Sequence, residues 1–173
     1  MTVQSYFKNL RFLQLILLAG YCLSIGVTLV LAFMEVVPIL PKAQANEYVD
    51  IVAIAAGVSG VIAAFFMFQS LLIRVDEKHS LSRKLSSFKT AYFLRLIVIE
   101  GVGMLSVVLF MLSMNTIPLV TAIFIAILLG LLKPSKSEMA KVLRLDSGEQ
   151  VQLNASSTVV GDVHQELFKN RMN

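Results

Sequence analysis

Charged side chains are scarce in this chain, and cysteine is almost missing. Only 15% of the 173 residues are Asp, Glu, Lys or Arg, while 57% are hydrophobic. A soluble domain of this length has too small a core to bury so much apolar surface, which excludes that class. The single cysteine, Cys22, lies inside an apolar run, so an intrachain disulfide and a cysteine-based metal cluster are excluded as well. Histidine is limited to His79 and His164, both in polar segments. No metal site and no cofactor is therefore expected. No phosphate-binding loop and no nucleophile–base pair stands out, which leaves a non-enzymatic role as the expectation.

What the chain does have is apolar length. Four blocks, at about 12–34, 48–73, 92–114 and 117–132, each approach the ~20 residues that a membrane-crossing helix needs. The expected fold is an all-α integral membrane protein, an antiparallel four-helix transmembrane bundle over 1–133. A short amphipathic helix at 134–145 and a flexible tail at 146–173 should follow it. Lys8 and Arg11 ahead of the first block, with Ala43-Gln-Ala45 downstream, also fit a cleaved signal segment. The apolar run is longer than the 7–15 residues of a signal core, however, and the Ala-x-Ala lies too far beyond it, so the first span is retained.

The net charge of +4 is divided by loop rather than gathered on one face, which argues against nucleic acid as a partner. Lys8 and Arg11 precede the first span. Arg74, Lys78, Arg83, Lys84 and Lys89 lie between the second and third, and Lys133, Lys136, Lys141 and Arg144 follow the fourth. The other two loops contain Lys42 alone, with Glu35, Glu47 and Asp50 around it. By the positive-inside rule both termini and the middle loop are cytoplasmic, in the inner (plasma) membrane. The lipid bilayer is the first partner; self-association or another membrane protein is the second.

Small residues recur every fourth position in three spans: Gly20, Ser24 and Thr28; Ala56, Gly60 and Ala64; Ala122, Ala126 and Gly130. Such stripes let helix backbones approach closely in lipid. Pro38 and Pro41 close the first helix, and Pro118 falls in the first turn of the fourth. Phe12-Leu-Gln-Leu-Ile-Leu-Leu-Ala-Gly20 resembles Phe93-Leu-Arg-Leu-Ile-Val-Ile-Glu-Gly101 in register, an arrangement of two tandem helical hairpins in which Gln14 and Ala19 take the places of Arg95 and Glu100. Leu81, Leu85 and Phe88 at helical spacing extend the second or third helix into the cytoplasm. Ser135-Lys-Ser-Glu138 reads as a capping box opening the short helix, with Met139, Val142 and Leu143 on one side.

The most informative residue is Glu100. A carboxyl in the middle of the third span is costly in hydrocarbon and needs a partner or a purpose. Arg95 is not that partner, because five residues along a helix turn through about 500° and leave the two side chains on different faces, ~7.5 Å apart axially. Arg95 is expected to snorkel to the cytoplasmic interface. Counting inward from Arg74 on the second helix brings Gln69 to the depth of Glu100, so a Gln69–Glu100 hydrogen bond is expected, joined by Tyr21 or Ser24 from the first helix. These residues form the candidate set, either as a neutral polar contact that fixes helix register or as a coupling site.

Gly57-Val-Ser-Gly-Val-Ile-Ala-Ala64, a polar loop, Lys84-Leu-Ser-Ser-Phe-Lys-Thr-Ala91 and Ile99-Glu-Gly101 together resemble the hairpin of rotary-ATPase proteolipid (c) subunits. There a glycine-rich helix pairs with a helix bearing an ion-binding carboxylate, and the resemblance implies that Glu100 is the ion-binding residue. It covers about the middle third of the chain and lacks the Arg-Gln-Pro loop of that family. With its Arg-x4-Glu-Gly third span and its Lys-Pro-Ser exit from the fourth, the whole chain is similar to small four-span bacterial inner-membrane proteins.

Overall fold

A computed structural model describes residues 3–34, 42–73 and 81–143. The tail expected at 146–173, Pro38 and Pro41 lie outside the described residues, as does the loop at 74–80. Five helices make up the described chain: α1 (Val3–Phe33), α2 (Lys42–Ile73), α3 (Leu81–Ser113), α4 (Thr116–Leu131) and α5 (Lys136–Val142). Helix is the expected answer for such runs, because in hydrocarbon each backbone N–H and C=O must find its partner within the segment.

Three of these helices contain stretches long and apolar enough to cross a bilayer, at Ser5–Phe33, Tyr48–Ile73 and Arg83–Ser113. The fourth, with 16 residues, rises only about 24 Å, short of the ~30 Å hydrocarbon layer. Large apolar side chains point outward along these helices: Phe12 is 65% exposed, Leu23 69% and Phe66 69%. An outer surface of this kind suits lipid rather than water.

α1 and α3 begin well before the apolar blocks at 12 and 92. Their first turns are amphipathic: Tyr6 and Leu10 on α1, and Leu85, Phe88 and Tyr92 on α3, recur at helical spacing and are buried. Hydropathy finds only the lipid-matching part of such a helix, while the packing stripe continues beyond it.

α3 and α4 form the middle of the assembly, and α1 and α2 flank the pair, each packing on both. On the α2 side, Phe68 meets Phe88 edge to face at 5.8 Å, and Gly60 lets the α3 side chain of Val102 lie against the α2 backbone. Gly57 does the same for Thr121 of α4. On the α1 side, a Cβ at Gly103 would stand 2.5 Å from the Tyr21 hydroxyl and 2.9 Å from Ile125, so only glycine allows α1, α3 and α4 to meet there. Of the small-residue stripes, Thr28, Ala64 and Ala122 are buried, whereas Gly20 has open space where a Cβ would stand, as does Gly101 on α3. Two residues link α3 to α4. Met114 takes a left-handed φ of 53°, and the Asn115 side chain donates to Asp50 at 3.1 Å, tying this turn to α2.

Candidate functional site

Near the end of the assembly where α5 lies, Gln14, Lys84 and Arg95 are buried. Arg95 is only 3% exposed. Its guanidinium lies over the ring of Phe65 at 3.9 Å and that of Phe68 at 4.9 Å, both on α2, and Nη1 stands 3.5 Å from Glu138 Oε1 on α5. A cation desolvated against two aromatic faces is stabilised by their quadrupoles, and the carboxylate supplies the opposite charge. Arg95 Nε has no hydrogen-bond partner. The expectation that Arg95 snorkels to the interface is therefore corrected. α5 folds across the end of the bundle and brings a carboxylate to the arginine.

The sequence around α5 explains how. The Ser135 hydroxyl accepts the Ser137 N–H at the helix start, and Met139 and Leu143 are buried beneath the helix. These anchors set α5 against the bundle and leave Glu138, in the first turn, on the side of Arg95. The Glu138 carboxylate thus goes to Arg95 rather than completing the expected capping box.

Beside this ion pair lies a second polar node. Gln14 Nε2 donates to the Leu129 carbonyl at 2.7 Å, and the Tyr92 hydroxyl lies 2.6 Å from the Leu132 carbonyl and 3.1 Å from Gln14 Oε1. The Tyr6 hydroxyl donates to the Leu85 carbonyl at 2.7 Å, and the Tyr21 hydroxyl to the Ala122 carbonyl at 2.9 Å. Apart from the Tyr92–Gln14 contact, each of these bonds ends on a backbone carbonyl of another element, so α1, α3 and the α4 segment are pinned in register. Glu138, Gln14, Tyr6, Tyr92 and the two phenylalanines were not among the expected site residues. The one signal for Gln14 is the internal repeat, which places it opposite Arg95; both side chains are buried.

Glu100 stands apart from this network. It is partly exposed, and no hydrogen bond from a described residue reaches it. Gln69, its expected partner, is exposed on α2 and makes no bond to it. Both depth and face differ from the expectation: Arg95 lies over Phe65 and Phe68 and Val102 lies against Gly60, so Gln69 is nearer the level of Arg95 than that of Glu100, and its side chain is exposed. Tyr21 is within electrostatic reach of Glu100, but its hydroxyl is committed to Ala122. The Ser24 hydroxyl donates to the Tyr21 carbonyl of its own helix and lies 3.4 Å from Met104 Sδ. Glu100 therefore sits on the α1-facing edge of α3, next to Gly101, as a mid-span carboxyl that the described chain does not satisfy. Among the described residues, no group of His, Cys, Asp and Glu is arranged to hold a metal ion. No protein family, curated protein or solved structure matches the chain, so its site is read from its own residues alone.

Proposed function

We propose that this chain is a four-span protein of the inner membrane, antiparallel from helix to helix with both termini cytoplasmic, and that it serves as a non-enzymatic accessory or assembly subunit. The observation that carries this reading is the way the interior side chains are used. The hydroxyls of Tyr6, Tyr21 and Tyr92 and the amide of Gln14 close on backbone carbonyls of neighbouring helices, and Arg95 closes on Glu138 and two rings. Such bonds fix the geometry of the interior; among the described buried side chains only Arg95 Nε is left without a hydrogen-bond partner. The unsatisfied carboxyl is partly exposed, so another membrane protein or a second copy could meet it.

Contact order supports the antiparallel path. Tyr6 meets Leu85 and Gln14 meets Tyr92, while Gln14 meets Leu129 and Tyr21 meets Ala122. The basic residues at the α5 end support the orientation. Cysteines introduced at Ser82 and Ser147 should be shielded from membrane-impermeant thiol reagents in intact cells, while one at Ala45 is labelled; labelling at Ser82 overturns the orientation. Native mass spectrometry after mild-detergent purification should return the chain in a stoichiometric complex, with itself or with another membrane protein.

A second reading has one observation in its favour, the unsatisfied Glu100. A mid-span carboxyl without a partner is a binding place for a proton or a monovalent cation, and the protein would then be an ion-coupled component. A lone monomer that carries proton or sodium flux in proteoliposomes, and loses it on Glu100→Gln, selects this reading over the first. Reaction of Glu100 with a hydrophobic carbodiimide, slowed by a cation, would support it.

A further inference from the structure

One cleft, of about 570 Å³, is separate from everything described above. It lies between the start of α1 and the link from α4 to α5, lined by Phe7, Lys8, Arg11, Phe12 and Leu15 with Pro134 opposite. Residues 8, 11, 12 and 15 are spaced to share one face of α1. Along that face the chemistry changes in a fixed order. Lys8 comes first, Arg11 and Phe12 follow about one turn deeper, and Leu15 a further turn in; Phe12 and Leu15 are 65% and 61% exposed. No acidic residue lines the cleft, and among the described residues neither Lys8 nor Arg11 is in an ion pair.

We propose that this cleft binds an anionic phospholipid, its phosphate held by Lys8 and Arg11 and an acyl chain lying along Phe12 and Leu15. The order of groups identifies the ligand. A soluble phosphate would use the cations and gain nothing from the apolar half, whereas a neutral lipid would use the apolar half and leave two cations without a counter-charge. Only a molecule with an anion and a hydrocarbon chain in that sequence uses both, and basic residues at the inner interface attract such lipids. The inference rests on the proposed reading of α1 as a span whose first turns lie at the cytoplasmic interface.

The chain contains no tryptophan, so Phe12→Trp places a sole reporter in the cleft. This variant is reconstituted in mixed bilayers containing either brominated phosphatidylglycerol or brominated phosphatidylcholine with the same acyl chains. Quenching should show a relative association constant about tenfold in favour of phosphatidylglycerol at low salt, shrinking as salt is added. Adding Lys8→Gln and Arg11→Gln should bring the ratio close to one, while Lys8→Arg with Arg11→Lys should keep it. Arg83→Gln with Lys89→Gln, which removes exposed cations elsewhere at the same end, should also leave it unchanged. A ratio near one in the reporter protein, or a ratio indifferent to the loss of both cations, overturns the proposal. So does removal of the preference by millimolar glycerol 1-phosphate, which would make the ligand a soluble anion. Absence of quenching by either brominated lipid would instead remove α1 from the bilayer and sink the membrane reading on which the site depends.

Discussion

Arg95 and Glu100 are five residues apart on α3, and the rest of the chain treats them in opposite ways. Arg95 is enclosed: α2 supplies two ring faces, α5 supplies a carboxylate, and the Gln14–Tyr92 node stands beside it. Glu100 meets α1 only at its edge, with open space where a Cβ of the neighbouring Gly101 would stand and no described residue donating to it. An isolated charge in hydrocarbon is costly in either case, so the contrast lies in where the compensation comes from. For Arg95 the chain provides it by folding a helix back onto the bundle. For Glu100 it must come from outside the described chain, as a proton, a cation or a neighbouring protein. The inner face of α3 is thus a packing device, and its outer edge is the place to look for function.

The largest effect should come from testing the two faces with the same chemical change. Gly103→Ala puts a methyl against the Tyr21 hydroxyl and Ile125, and something must move. Overpacking of this kind should cost about 1–3 kcal/mol and weaken the Tyr21–Ala122 bond. Gly101→Ala, two positions along, meets nothing and should stay within about 0.5 kcal/mol. Reversible unfolding in detergent–denaturant mixtures measures both. Equal costs at the two positions would erase the distinction between an inner and an outer side of α3.

The next effect concerns how Arg95 is neutralised. Glu138→Ala leaves a buried guanidinium with ring faces alone. Because the Glu138 side chain is itself 38% exposed, the pair is weaker than a fully enclosed one, and the loss should be about 1–2 kcal/mol. Arg95→Met in the same protein replaces the cation with an apolar side chain of similar reach, and the double variant should recover most of that loss. If the losses from the two substitutions simply add, the ion pair contributes nothing to holding α5.

The sequence and the structure agree most where lipid dictates the answer. Apolar length made helices legible, since no other local structure satisfies the backbone in hydrocarbon, and Glu100 stood out because a lone carboxyl in such a run is rare. The azimuth of each helix was less legible. All four apolar helices are hydrophobic around their circumference, so periodicity does not mark the inner face as it does on a soluble helix, and counting inward from Arg74 misplaces Gln69 in depth as well as in face. The clue that would have placed Arg95 was local. Phe65 and Phe68 share a face of α2 and can hold a cation from α3, and Glu138, read only as a capping residue, lies at the first helix able to reach it. The sequence marks Gln14 only as the repeat counterpart of Arg95. The repeat gives a face, but it cannot show that the acceptors would be the carbonyls at the end of α4.

The smallest effect on stability should be at Glu100, and for that reason it is the most informative about function. With Gln69 turned away and Tyr21 and Ser24 committed elsewhere, neither Glu100→Gln nor Glu100→Leu removes an internal hydrogen bond. The isolated subunit should therefore tolerate both within about 0.5 kcal/mol, as expected for a partly exposed position without an internal hydrogen bond. The two variants separate when the protein is in its assembly. If the carboxyl hydrogen-bonds to a neighbouring membrane protein, the amide of Gln can keep that bond and Leu cannot, so native mass spectrometry should show the complex retained with Gln and weakened with Leu. If the carboxyl exchanges a proton or a cation, Gln abolishes the exchange as fully as Leu does, while both assemblies stay intact. Loss of ion flux in an intact Gln assembly decides for coupling, and loss of assembly in Leu alone decides for docking. Full assembly without any flux in all three proteins would remove Glu100 from both roles and leave the outer edge of α3 as lipid-facing surface.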